Sequence, residues 1–282
     1  MEAAMRFTQR VLSVVKKGSS RPITALDSDG NSVFIKLSGG LSSPTAAIGD
    51  AVCRAIGLAL GLPILPTGRI IVDERADVSA VDAEVRDLIR KSYGINSASP
   101  YFPEAKDVEG EELLQLTSSS RTRLFIFDLI TLNVDRSFSN TNILLIGDSE
   151  YSIDYEASFM IMGAIQAKDY GGSMAVRQAL RQNPLYRAHL SDEMIERELV
   201  TLRTLDLASC IADVPDEWFG QDHKTVQSTK DRVCNSITRY ISTTDRHLAF
   251  YHQLESVPYI SEQERRQRNS INRNRFTASY SL

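Results

Sequence analysis

Strand and turn signals crowd into residues 1–75, and helical periodicity dominates the rest of the chain. Pro22–Ala25 and Ser32–Leu37 read as two strands around the turn Asp27-Ser-Asp-Gly30. Short polar residues and a glycine between apolar runs are hairpin chemistry. Pro22 can only open its strand, because it has no amide to give to a ladder. A loop with Gly39, Gly40 and Pro44 leads into a predicted helix, Thr45–Leu60. Its Ile48, Val52, Ala55, Ile56, Ala59 and Leu60 share one face. Gly61 ends that helix, and Pro63 cannot continue it. A further strand is predicted at Gly68–Val72.

Beyond residue 75 the pattern changes. Val81–Tyr93 reads as a helix, Asn96–Gly110 as a loop with two prolines, and Leu113–Leu132 as a well-buried helix. A polar loop, Asn133–Thr141, precedes two short strands, Asn142–Ile146 and Glu150–Ile153, around Gly147-Asp148. From Gly172 to about Leu254 the chain reads as mostly helical. Ser261–Leu282 carries five arginines and few apolar anchors, so a mobile basic tail is expected. The expected organisation is a strand-rich lobe (1–75), a mainly helical lobe (76–260) and the tail (261–282). The fold class is α+β, with two unlike lobes and a ligand cleft between them.

Composition narrows the function classes. Of the 282 residues 42% are apolar, enough for a sizeable core, and 32 basic against 36 acidic residues leave a net charge of −4. That balance argues against a whole-surface nucleic-acid binder. A mobile, solvated tail explains the five arginines better than RNA or DNA binding, so no nucleic-acid partner is expected. No apolar run approaches the roughly 18 residues that span a bilayer, and no membrane role is expected. Met1–Lys17 lacks the apolar core of a secretory signal. Cys53, Cys210 and Cys234 lie far apart, and His189, His223, His247 and His252 show no metal-ligand spacing. Neither a disulfide framework nor a structural zinc is expected, and a reducing cytoplasm is the expected location.

The most informative segment is Asn133-Val-Asp-Arg-Ser-Phe-Ser-Asn140. Asp135 and Asn140 sit five apart across a helix-to-strand loop, the Asp-x-x-x-x-Asn spacing of protein-kinase catalytic loops. There the aspartate accepts the proton of the attacking hydroxyl, and the asparagine oxygen binds magnesium, a hard cation that takes oxygen ligands. Asp154 closes the following hairpin, where a kinase carries its metal-binding acid. Alone, the spacing also fits a turn whose side chains bond nearby backbone. Lys36 adds to the case, since a charge in the apolar strand Val33-Phe-Ile-Lys-Leu37 needs a reason. A kinase holds the α/β-phosphates with such a lysine and pairs it with an acid on the next helix. Asp50 is the only acid on that helix, but it also stands four residues before Arg54, where the two can pair along the helix. Upstream, Lys16-Lys-Gly-Ser-Ser-Arg-Pro22 reads either as a phosphate loop, through Gly18, Ser19 and Ser20, or as a surface loop.

In order and spacing these segments resemble the HipA-like kinase family in its compact form. Gly18-Ser-Ser-Arg-Pro22 is similar to its phosphate-loop region and Phe34-Ile-Lys36 to its nucleotide-lysine strand. Ile56-Gly-Leu-Ala-Leu-Gly-Leu-Pro63 is similar to its helix end. Asn133-Val-Asp-Arg136 with Asn140 is similar to its catalytic loop, and Ile153-Asp154 to its metal-binding segment. The resemblance spans about residues 15–160. It implies a bilobal protein-kinase-like fold and ATP- and Mg2+-dependent phosphorylation of a protein serine or threonine. It implies that Lys36, Asp50, Gly18, Ser19 and Ser20 serve the nucleotide, that Asp135 is the base, and that Asn140 and Asp154 bind metal. Ser19 and Ser20 become candidates for autophosphorylation. A toxin-type regulator with an inhibitory protein partner is also implied.

Three features depart from the family pattern. Ser137 stands where histidine usually follows Asp-Arg. Asp50 stands for glutamate, one methylene shorter. Tyr155-Glu156 replaces a step that usually contains glycine. These departures motivate a second reading, a non-catalytic nucleotide-binding module acting through a protein partner. A small-molecule phosphotransferase on the same fold is the third, because fold does not fix substrate. Arg136 is either a phosphate- or substrate-placing residue or a structural ion-pair partner.

Overall fold

The computed structural model describes residues 5–15, 21–40, 44–115, 119–186, 190–220 and 222–260. The element order is β1 (Arg6–Val14), β2 (Ile23–Asp27), β3 (Ser32–Lys36), α1 (Pro44–Ala59), β4 (Gly68–Val72), α2 (Ala83–Lys91), β5 (Gly94–Pro100) and β6 (Lys106–Asp107). It continues through α3 (Gly110–Gln115), α4 (Ser119–Thr131), β7 (Ile143–Ile146), β8 (Ser149–Ser152), α5 (Phe159–Gln166) and α6 (Met174–Arg181). The last helices are α7 (Asp192–Arg203), α8 (Leu207–Ala212), α9 (Asp216–Phe219), α10 (His223–Ser242) and α11 (Thr244–Glu255).

Five strands close a small barrel in the order β1-β2-β3-β5-β4. β2 and β3 form the expected antiparallel hairpin, with Ile23 opposite Ile35 and Ala25 opposite Val33. Asp27 shapes its turn by accepting the amides of Asp29 and Asn31 at 3.0 and 2.8 Å. Along β3 and just past it, Val33, Ile35 and Leu37 face the barrel core. The period of two therefore turns Phe34 and Lys36 to the opposite face. The barrel closes where β1 meets β4 in parallel, Arg6 opposite Ile70 and Phe7 opposite Ile71.

Two elements here differ from the sequence expectation. Residues 94–100, which follow the predicted helix and from Asn96 onward read as a loop, form β5, which pairs with both β3 and β4. Its Gly-Ile-Asn-Ser-Ala-Ser-Pro sequence carries almost no apolar alternation. Its order rests on hydrogen bonds instead: buried Asn96 donates to Ser92 O and Gly94 O and accepts from Ser38 N. β1, among charged residues, is also a strand, held by β2 and by buried Val11. The barrel core unites Val11, Ile23, Ile35, Ile70, Val85 and Ala98, so it takes in residues beyond the boundary at 75.

The second core is helical. α4 is buried on all sides from Leu124 to Thr131: its apolar residues enter the core, and Asp128 and Thr131 are enclosed with them. α1 follows the barrel strands in sequence, yet its Ile48, Val52 and Ile56 pack into this second core. Its end is where the sequence puts it, with Gly61 in the left-handed region at φ 67°. β6, β7 and β8 form a separate small sheet, and its β7–β8 hairpin carries the chain from the catalytic-type loop to Asp154. Among the described residues no helix is long and apolar enough to cross a membrane. The basic tail expected at 261–282 lies outside the described residues.

Candidate active site

The loop between α4 and β7 is built around one buried ion pair. Asp128 on α4 accepts Arg136 Nε at 2.6 Å, Asn133 Nδ2 at 3.0 Å and Asn183 Nδ2 at 2.9 Å. Arg136 then donates to Thr141 O and Asn142 O at 2.8 and 2.9 Å, and to Ser152 Oγ at 2.5 Å. Its guanidinium also lies over the Tyr155 ring. Both charged side chains are fully enclosed. Of the two readings of Arg136, this enclosure favours the structural one: its donors are spent inside the protein, fastening both ends of the loop to the hairpin.

That scaffold presents Asp135 at the loop's exposed edge. Asn140 Nδ2 donates to Asp135 O at 3.2 Å and faces its Oδ2 at 3.5 Å. Asn142 does the same at 3.1 and 3.3 Å. With each amide nitrogen turned to Asp135, the opposite oxygen faces away from it. Although the residue is exposed at the loop's edge, the surrounding protein partly desolvates the Asp135 carboxyl and raises its pKa, and the charge of Asp154 adds to the effect.

Asp154 adopts the left-handed conformation at φ 62°. Non-glycine residues rarely do so, and Asp and Asn are among the tolerant ones. The turn brings Asp154 Oδ1 to 3.0 Å from Lys36 Nζ, across 118 residues of sequence. Glu156 Oε1 meets the same ammonium at 2.7 Å. Asp50 Oδ2 stands farther off, at 3.7 Å. Its carboxylate is engaged by Arg54 Nε at 2.8 Å and Tyr155 N at 2.7 Å. Both sequence readings of Asp50 are thus present at once, the helix pair with Arg54 being the tighter. Burial works to lower the Lys36 pKa, but Asp50, Asp154 and Glu156 outweigh it and hold it above the ordinary value. Burial, then the charge of Asp154, raises that of Glu156 despite Lys36.

Of the residues singled out in the sequence, Lys36, Asp50 and Asp154 meet directly, and Asp135 with Asn140 stands beside them. Gly18, Ser19 and Ser20 lie outside the described residues. Two side chains at the site escaped the sequence reading. Glu156 registered only as a missing glycine, not as a Lys36 partner. Asn142 registered only as the start of a strand, although an asparagine directly before Ile-Leu-Leu was a usable signal.

Among the described residues no three His, Cys, Asp or Glu side chains are spaced to hold a metal ion by themselves. The donors present nonetheless suit magnesium. Asp154 and Asn140 offer hard oxygens, and magnesium characteristically binds through one or two carboxylates, substrate phosphates and water. The repulsion between Asp135 and Asp154 is the kind a cation relieves.

A strand barrel over a helical lobe, with a lysine and acids at their junction, is the architecture of a protein-kinase-like fold. The model of a known family, described as HipA-like kinase, matches residues 8–252, and the chain belongs to that family. Three solved structures are similar. A Helicobacter pylori proinflammatory kinase, CtkA, is 11% identical, with 84% of this chain and 96% of that one covered and a TM-score of 0.35. HipA of Shewanella oneidensis MR-1, solved as a toxin–antitoxin complex with HipB and operator DNA, is 10% identical, with 92% and 67% covered and a TM-score of 0.41. The MAP kinase LmaMPK10 of Leishmania major is 12% identical, with 90% and 84% covered and a TM-score of 0.22. At such scores the family assignment rests on the family match. No curated protein matches the chain significantly.

Proposed function

We propose that this chain transfers the γ-phosphoryl group of ATP, with magnesium, to a serine or threonine of a protein. The observation that carries this reading is the 3.0 Å contact between Lys36 and Asp154, beside Asp135. Lys36 binds the α/β-phosphates. Asp50, itself anchored by Arg54 and Tyr155 N, limits where the lysine can go. Asp135 orients the attacking hydroxyl and takes its proton as the bond to phosphorus forms. Partial desolvation of the Asp135 carboxyl favours that role, because a carboxyl with a raised pKa is the stronger base. Asn140 and Asp154 would hold magnesium, with Asn142 alongside. Magnesium bound there would supply charge neutralisation for the phosphates. Gly18, Ser19 and Ser20 would cover the phosphates, Ser19 and Ser20 also being candidates for self-modification. The rest of catalysis is positioning, supplied by the Asp128–Arg136 scaffold.

The HipB bound to the Shewanella protein suggests an inhibitory protein partner here too, as for a toxin-type regulator. A second reading, a nucleotide-binding module without transfer activity, is favoured by one observation: Glu156 already occupies Lys36. The two part in a transfer assay. Asp135→Asn keeps the size and hydrogen bonding of the side chain but not its basicity. It is expected to lower phosphoryl transfer by about 10²–10⁴-fold, with nucleotide binding retained. Undiminished transfer in this variant would overturn the assignment of Asp135.

A further inference from the structure

Lys36 is the residue on which nucleotide binding turns, and its donors are already engaged. An ammonium has three N–H groups. Asp154 takes one and Glu156 another, with Asp50 near the third. The Glu156 contact is the shortest of the three. Nor is Glu156 a loose side chain that happened upon a cation. Its amide faces Asp154 Oδ1 at 3.4 Å. The preceding Tyr155 is fully buried, with its amide on Asp50 and its hydroxyl paired with Ser152 Oγ at 2.6 Å. The backbone thus aims Glu156 at Lys36, while its side chain keeps 21% exposure and has room to swing out.

The charges around the lysine complete the case. Lys36 faces Asp50, Asp154 and Glu156, Arg54 pairs with Asp50, and Asp135 lies nearby. Acids outnumber bases before any phosphate arrives. A bare polyphosphate must break the Lys36–Glu156 bond and then sit beside the released carboxylate. A polyphosphate that carries a divalent cation brings the opposite charge with it.

We propose that Glu156 is a built-in competitor for the nucleotide phosphates, excluding metal-free nucleotide and making binding depend on a divalent cation. The inference rests on the reading of Lys36 as the nucleotide lysine. Glu156 is a specificity-determining residue in this account: its carboxylate yields Lys36 only to a ligand that carries its own positive charge.

The test is calorimetric titration of the whole chain with ADP, in EDTA and in excess magnesium. Wild type, Glu156→Gln and Lys36→Met are compared, and their melting temperatures serve as the check on folding. In EDTA, Glu156→Gln is expected to bind ADP about tenfold tighter than wild type, on the scale of one partly buried charge contact. With magnesium the gain shrinks, so the ratio of the two affinities falls. Glu156→Ala gives the same pattern if the glutamine variant melts early. Equal or weaker binding by both variants in EDTA would overturn the proposal. So would a marked loss of ADP binding in magnesium, which would make Glu156 a metal ligand. If wild type binds ADP with magnesium and Lys36→Met does not, the nucleotide reading stands whatever Glu156 does. ADP binding by Lys36→Met as tight as by wild type, or none by any of the proteins, would remove that reading and this one together.

Discussion

Arg136 shows how much of a catalytic-type loop depends on one side chain that touches no substrate. Its guanidinium bonds Asp128, two backbone carbonyls and Ser152, and it has no exposure to solvent. Replacing it with Met would leave Asp128 charged, buried and short of its cation. Unpairing a buried ion pair costs about 3–5 kcal/mol. Arg136→Met is expected to lose stability on that scale in urea unfolding, and Arg136→Lys to recover only part, because lysine lacks the planar fork. A loss under about 1 kcal/mol for Arg136→Met would mean the scaffold is held by something else. The legible and illegible parts of the site divide at this scale. Asp135 and Asn140 lie in one short loop, so their spacing is visible in the sequence. The meeting of Glu156 with Lys36 spans 120 residues and needs the left-handed turn at Asp154, which no local pattern announces.

Among the elements, apolar periodicity was readable and polar order was not. Helix α1 and the hairpins β2–β3 and β7–β8 follow from alternation and turn residues. β5 is a strand of Asn, Ser and Ala stabilised by the bonds of Asn96, which a hydropathy pattern passes over. A similar buried polar contact joins α10 to α11. His247 is 2% exposed, its Nε2 lies 3.1 Å from Tyr240 O, and its ring stacks edge-on against Tyr240. Burial pushes the His247 pKa down to about 4, despite the hydrogen bond to Tyr240, with Arg246 and Arg203 adding to the fall. The folded protein therefore keeps this imidazole neutral, whereas the unfolded chain takes up a proton near pH 6.5. Between those values the unfolded state binds more protons, so stability rises with pH and is lost as pH falls from about 6.5 toward 4. The contribution is at most roughly 3 kcal/mol. His247→Gln should flatten the wild-type curve in that window, read by chemical denaturation at about pH 4.5 and about pH 7. A difference between the two proteins that is independent of pH would contradict the account.

At the scale of the whole molecule, the junction of the two lobes decides whether the site can work. The order of a strand-rich part before a helical part was visible in the sequence. The return of α8 and α9 against α1 was not, because such long-range packing leaves no periodic trace. Trp218 on α9 donates its indole N–H to Ile95 O in the barrel at 3.1 Å. It lines a small cavity with Lys36, Asp50 and Glu156. α9, which packs on α1, is thus tied to β5, the neighbour of the strand that carries Lys36. Distant parts of the chain are brought to one point, and the account holds that this point is a phosphoryl-transfer site. The most direct test is transfer from γ-labelled ATP with magnesium, comparing wild type with Asp154→Ala, on the protein itself and on a cell extract. The account predicts labelled protein with wild type and background with the variant, both being folded. No labelling by wild type that binds ATP, or equal labelling by the variant, would contradict it.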